Sequence, residues 1–195
     1  MSEKKKTIYR KDYLPPNCLV ESIDLSFNLG EDVTVVESSM HVKRNGSVAD
    51  DAPLYLYGRE LALKSVTIDG KRLEAERYLP DGEGLTIHDV PKTFRLEIVT
   101  EIKPQENVSL EGLYKSSGNF CTQCEAEGFR KITYYPDRPD VMAMFTTTIT
   151  ADKTLSHTTL IRKPRRFRRS GRWPPLCKMG GPFQKALLPL CPRCR

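Results

Sequence analysis

The amino-acid sequence predicts an all-β fold: an antiparallel sandwich, or a curved body of two sheets, over residues 8–155, followed by a disordered basic tail over 156–195. Three observations predict it. Apolar side chains recur with a period of two in successive short runs between Ile23 and Ile98. Turn residues separate these runs at intervals of about ten positions. No stretch between residues 17 and 135 sustains the 3.6-residue period of an amphipathic helix.

Taken in order, Ile23, Leu25, Phe27 and Leu29 alternate with polar residues, which places them on one face of a half-buried strand. Gly30-Glu31-Asp32 reads as a turn. The run 33–44 alternates less cleanly but ends in Met40 and Val42, two apart. Asn45-Gly46 is a turn signal, because both residues tolerate positive φ. Leu54 with Leu56, Leu61 with Leu63, and Val66 with Ile68 repeat the period, and Asp69-Gly70 closes that segment with a hairpin-type turn. Leu85 with Ile87, then Phe94, Leu96 and Ile98, continue it. Asp137 and Pro139 read as the cap and first turn of a short helix over 139–144. The β-branched run 145–150 reads as a strand again.

Charge divides the chain into two unlike parts. Of the 31 Lys and Arg residues, 11 lie in 161–195, where there is no Asp or Glu; the other 20 face 25 acidic residues in the first 160. The body is therefore −5 and the tail +11, and the basic pI belongs to the tail. The tail also holds six Pro and three Gly and shows no periodicity, so no ordered element is readable in it. The amino terminus, MSEKKKTIYRKDYLPP, is charged and lacks the apolar segment of a secretory signal. No apolar run approaches the roughly 18 residues of a membrane span, so no membrane partner is expected. The body holds an odd number of cysteines (Cys18, Cys121 and Cys124), which with no export signal predicts reduced thiols and a cytoplasmic location.

Three blocks stand in register over residues 107–145. They are Leu110-Glu111-Gly112-Leu113-Tyr114, then Cys121-Thr122-Gln123-Cys124-Glu125-Ala126-Glu127-Gly128-Phe129-Arg130, then Asp137-Arg138-Pro139-Asp140-Val141. In order and spacing they resemble the amino-terminal domain of the bacterial-type aminopeptidase N family of zinc aminopeptidases, and the segments YRKDYLPP and SIDLSFNL fit it too. The resemblance spans roughly residues 8–155. Pro136 departs from it, since a Leu-like residue is commoner there, and is expected to alter the local strand. The resemblance implies a saddle-shaped β body that covers a catalytic domain. It implies that Glu125 binds the free α-ammonium of a peptide and that Gln123 contacts the peptide backbone beside it. The partners it implies are a peptide amino terminus and the missing catalytic domain. A partly desolvated carboxylate suits the first task, because a charge-assisted hydrogen bond fixes both sign and distance. Glu127 is expected to support the loop, and Arg130 and Arg138 to pair with nearby carboxylates.

The family holds zinc on His-Glu-x-x-His plus a later Glu. Here His41, His88 and His157 are followed by Val42, Asp89 and Thr158, and no second His lies four residues on. The expectation is no catalytic residue, no metal ligand and no cofactor within this chain, with zinc belonging to the full-length family. Alone, the chain is expected to be inactive and to expose a partly apolar docking face. His41 and His88 read as strand-face residues. Two alternatives stand beside this reading: a non-catalytic binding module, and a nucleic-acid binder acting through its basic tail. Cys121/Cys124 and Cys191/Cys194 are both C-x-x-C pairs, but 66 residues separate them, against roughly 15–20 in a zinc ribbon. Nucleic acid is not the expected partner.

The tail also reads as a shifted frame. Met179-Gly180 is encoded by ATG followed by GGN, so a one-base forward shift must give Trp. With permitted codons, Gly180 to Leu187 then give Glu, Asp, Pro, Phe, Lys, Lys and Pro, resembling the family's Trp-x-Asp-Pro-Phe-x-Lys-Pro stretch. The expectation is a frame change near 155–162.

Overall fold

Strands β1 (Cys18–Leu29) and β2 (Thr34–Arg44) are the two longest of the described strands, and each turns one face inward. The computed structural model describes residues 9, 11, 13–46, 49 and 51–151, together with the backbone of two further strands at 166–168 and 176–182. In β1 the buried positions are Cys18 and Val20, then Ile23, Leu25, Phe27 and Leu29. That change from even to odd numbers is accommodated by a bulge between Val20 and Ser22. The same device recurs in β4 (Ala62–Ile68), where Leu63 precedes a bulge and Val66 and Ile68 follow it. In both strands the sequence already shows the phase change, because the apolar positions switch parity.

The other elements are β3 (Leu54–Tyr57), β5 (Lys71–Arg72), β6 (Tyr78–Pro80), β7 (Gly84–Ile87), β8 (Thr93–Ile102), β9 (Gly112–Ser116), β10 (Asn119–Gln123), β11 (Met144–Ala151), β12 (Arg166–Arg168) and β13 (Leu176–Pro182), with 3-10 turns at Ala75–Arg77 and Phe129–Lys131. They form an eight-stranded sheet in the order β12-β13-β11-β1-β2-β8-β4-β5, a three-stranded sheet β3-β7-β6 and a two-stranded sheet β9-β10. All pairings are antiparallel except β1 with β11. Asp69 and Gly70 both adopt positive φ (49° and 77°) in the tight β4–β5 connection, as their types predict.

One continuous core joins the large sheet to the small ones. Ile23, Leu25, Met40, Leu96 and Ile98 lie in it with Leu54, Leu56, Leu85, Ile87, Leu113 and Tyr135. Each such aliphatic side chain contributes about 1.5–3 kcal/mol by leaving water. The uneven alternation of 33–44 has a specific cause. Ser38 occupies a buried position of β2, where its hydroxyl donates to Ile98 O and accepts from Thr133.

Two expectations change. No helix forms over 139–144: residues 139–140 make a turn and β11 begins at Met144. The expected cap, Asp137, is engaged elsewhere by Arg130, and Asp140 within the segment is held by Arg138 and Tyr13. His41 lies on an exposed strand face as expected, but His88 lies one residue beyond β7. Strands β12 and β13 fall within the segment where the sequence shows no readable element; β13 adds to the edge of β11. Backbone pairing requires no side-chain periodicity, so this addition leaves no mark in the sequence pattern. Residues 152–165, 169–175 and 183–195, with most of the basic run, His157 and the second C-x-x-C pair, lie outside the described residues. No described helix is long and apolar enough to cross a membrane.

Candidate functional site

The three sequence blocks converge on one rim of the molecule, and two glycines bring the first two together. Strands β9 and β10 form a hairpin in which Gly112 opposes Gln123. Gly112 has φ +71°, and a Cβ there would lie 2.7 Å from Lys131 Cβ and 3.1 Å from Gly128 O. A Cβ on Gly128 would lie 2.5 Å from Gln123 O. Only hydrogen fits at either position, so the end of the hairpin and the loop after β10 touch backbone to backbone. The Gly128 amide closes that loop by donating to Cys124 O at 3.0 Å. Inside it, the Glu125–Ala126 peptide is cis and Glu127 has φ +70°.

The third block is joined by a buried ion pair. Arg130 and Asp137 have side chains only 7% and 1% exposed. Arg130 Nε donates to Asp137 Oδ2 at 3.1 Å, and the Arg130 backbone amide donates to the same oxygen at 3.3 Å. Nη2 donates to Asp137 O at 3.1 Å, and the guanidinium lies 4.5 Å from the Tyr57 ring centroid. With its inner edge occupied, Arg130 turns Nη1 toward Glu127, 3.5 Å from Oε2. Arg138 extends the arrangement to the amino-terminal segment: it grips Asp140 through Nε and Nη2 and donates to Leu14 O, while Tyr13 donates to Asp140 at 2.9 Å. The hydrogen bonds from Arg138, reinforced by Tyr13, hold the Asp140 carboxyl below its ordinary range. Both arginines thus pair as the sequence predicts. Pro136 has no N–H to donate, and pairing between this segment and β3 is confined to the single bridge Tyr57–Tyr135.

Lys131 ties in two more loops. Its ammonium, on a side chain 9% exposed, reaches Glu60 at 3.2 Å, Ser109 Oγ at 2.9 Å and Glu111 at 3.6 Å. Sequence reasoning missed Lys131. The signal was its position directly after Arg130, with Glu111 beside a glycine that must pack closely.

Of the two predicted site residues, the structure leaves Glu125 exposed at the loop tip, with no side-chain hydrogen bond or ion pair among the described residues. Gln123 is exposed beside it and donates from Nε2 to Glu125 O at 3.1 Å. The two glutamates of this loop therefore differ: among the described residues Glu127 has a cation beside it and Glu125 has none. Cys124 is buried beneath them. Burial, with the charge of Asp137 adding to it, pushes its thiol up to about 12, so it stays protonated at neutral pH. Among the described residues no group of three or more His, Cys, Asp or Glu side chains can hold a metal ion; His41 lies in β2 and His88 follows β7.

Comparison with known proteins gives this rim its context. The profile of the Peptidase M1 N-terminal domain matches residues 19–166. Aminopeptidase N of Escherichia coli is 48% identical over 153 residues, and that of Caulobacter vibrioides 46% over 146. These matches cover 78% and 75% of the chain but only 17% of each relative, so the chain spans about a sixth of their length. Among solved structures, aminopeptidase A of Legionella pneumophila, crystallised with aspartic acid, superimposes with a TM-score of 0.74 at 26% identity, over 93% of this chain and 21% of that one. An M1 zinc metallopeptidase of Deinococcus radiodurans, crystallised with a Tyr-Ser-Ala substrate, shares the fold with a TM-score of 0.67 at 15% identity, over 84% of this chain and 39% of that one.

Proposed function

This chain belongs to the Peptidase M1 N-terminal domain family, and from that premise we propose that its Glu125 loop receives the free α-ammonium group of a peptide. The observation that carries the reading is the division of labour between the two loop glutamates. Glu127 faces Arg130 Nη1 at 3.5 Å, while the Glu125 carboxylate is exposed with no cation beside it among the described residues. An ammonium group is the complementary ligand, and a rigid loop sets how far into a peptide the adjoining chemistry reaches. Gln123 stands beside it with its amide NH2 turned into the loop, which leaves its oxygen for a peptide N–H.

In this proposal the chain recognises and the rest of the protein hydrolyses. The residues described here do not fit the zinc of the family, so no hydrolytic step is assigned to them. The partner is the remaining polypeptide that makes up most of the length of the curated relatives. Val108 and Leu110 support this: they project from the loop before β9 at 90% and 58% exposure, on the rim that carries Glu125. The tail is proposed to be out of frame, and the family match ends at residue 166, inside it.

The test uses the full chain. Leucine amide, titrated in while backbone amides are followed by NMR, is expected to shift residues 123–128 with a millimolar Kd. N-acetyl-leucine amide, which lacks the charge, is expected to shift nothing. Glu125→Gln should abolish the response. Equal responses to both compounds, or an unchanged response in Glu125→Gln, would refute the reading.

A further inference from the structure

We infer that Arg130 is a positioning residue that decides which of the two loop glutamates faces the ligand. The inference rests on the reading of Glu125 above, but its evidence lies one layer deeper. A guanidinium is a planar fork with fixed directions. At Arg130 the inner directions are consumed: Nε and the backbone amide by Asp137 Oδ2, Nη2 by Asp137 O, and one face by Tyr57. Nη1 remains and points at Glu127. Asp137 is almost fully buried and lies seven residues further along the chain, so the fork is anchored to the core and not to the loop it steadies. The Arg130 carbonyl is held as well, accepting from the Arg59 amide at 2.9 Å.

The consequence for the loop is geometric. The 3.5 Å ion pair between Arg130 Nη1 and the largely exposed Glu127 carboxylate restrains the chain two residues beyond Glu125, at a residue with positive φ. The Gly128–Cys124 hydrogen bond fixes the base of the same loop, and Gln123 holds Glu125 O from the other side. Glu125 is left between these restraints with its carboxylate outward. Without the fork, both glutamates are released together and the carboxylate presented to an ammonium group has no fixed place. Lysine cannot substitute, because a single ammonium cannot hold Asp137 and Glu127 in the same geometry. Arg130 itself stands behind the loop and is given no contact with the ligand.

Amide hydrogen exchange in the full chain tests this without depending on ligand binding. In Arg130→Lys, Gly128 is expected to exchange about tenfold faster, while Val36 and Ile98 in the large sheet stay within about twofold of the parent chain. Glu127→Gln removes only the outer tether and buries no unpaired charge; there Gly128 is expected to exchange about threefold faster. Should Arg130→Lys fail to fold, Glu127→Gln alone decides. Unchanged Gly128 exchange in Glu127→Gln and in any folded Arg130→Lys chain overturns the inference. Leucine amide then separates the two readings. If the parent chain does not bind it but Gly128 responds in the variants, the functional reading falls and the positioning role stands. If the parent chain binds it and Gly128 does not respond, the reverse holds. With both intact, Arg130→Lys is expected to weaken leucine amide by at least about threefold.

Discussion

In the large sheet, β2 places a serine where the alternation calls for an aliphatic residue, and the strand continues because Ser38 finds Ile98 O and Thr133 within reach. On the rim, Gly112 and Gly128 leave no room for a single added carbon. The two regions share one core but are specified differently. The sheet is held by many interchangeable burials, so its pattern matters more than any one residue. The rim between residues 107 and 141 is held by a few directional contacts, each made by one residue type: Gly112, Gly128, Arg130, Lys131 and Asp137. A sheet position can lose a partner and relax, whereas a rim position takes its neighbours with it.

The sharpest break in this comparison comes from the buried pair. Asp137→Ala leaves the Arg130 guanidinium buried without its carboxylate, and the expected loss is about 3–5 kcal/mol in urea unfolding. A sheet deletion such as Leu25→Ala is expected to cost about 2–5 kcal/mol, but with backbone shifts confined to its packing neighbours. If Asp137→Ala cost less than about 1 kcal/mol, the rim would not depend on single residues as claimed. Gly112→Ala combines positive φ with a close contact to Lys131 Cβ and is expected to cost about 1–3 kcal/mol. The smallest effect concerns the amino-terminal strap. The Asp140 carboxyl is held below its unfolded value, so its contribution is present above the ordinary carboxylate range and is lost as pH falls through the lowered value. Acidification should release Tyr13 and Leu14 from Asp140 and Arg138 at a cost of about 1 kcal/mol or less, visible as local NMR shifts before the sheet unfolds.

The same contrast explains what was legible in the sequence. Period-two alternation marks the strands from β1 to β8, and its parity changes mark the two bulges. Glu125 and Gln123 stood out because they sit inside a recognisable block, not because of any periodicity. What periodicity cannot show is directional pairing outside strands: Arg130 with Asp137 across a seven-residue irregular segment, or Lys131 with Glu60, whose separation of 71 residues follows no local rule. The helix expected over 139–144 failed for that reason: its cap, Asp137, belongs to a tertiary contact stronger than a single turn of helix. The tail left the least trace. Nucleotide sequence downstream of residue 155 should encode the continuing family domain in the next frame, and an uninterrupted non-family frame would remove that proposal.

The most direct test of the central claim is the carboxyl carbon-13 signal of each loop glutamate in the full chain as leucine amide is added. The Glu125 signal is expected to move in step with occupancy while the Glu127 signal, already committed to Arg130, stays still. Movement of Glu127 with Glu125 unmoved would contradict the assignment of the two carboxylates.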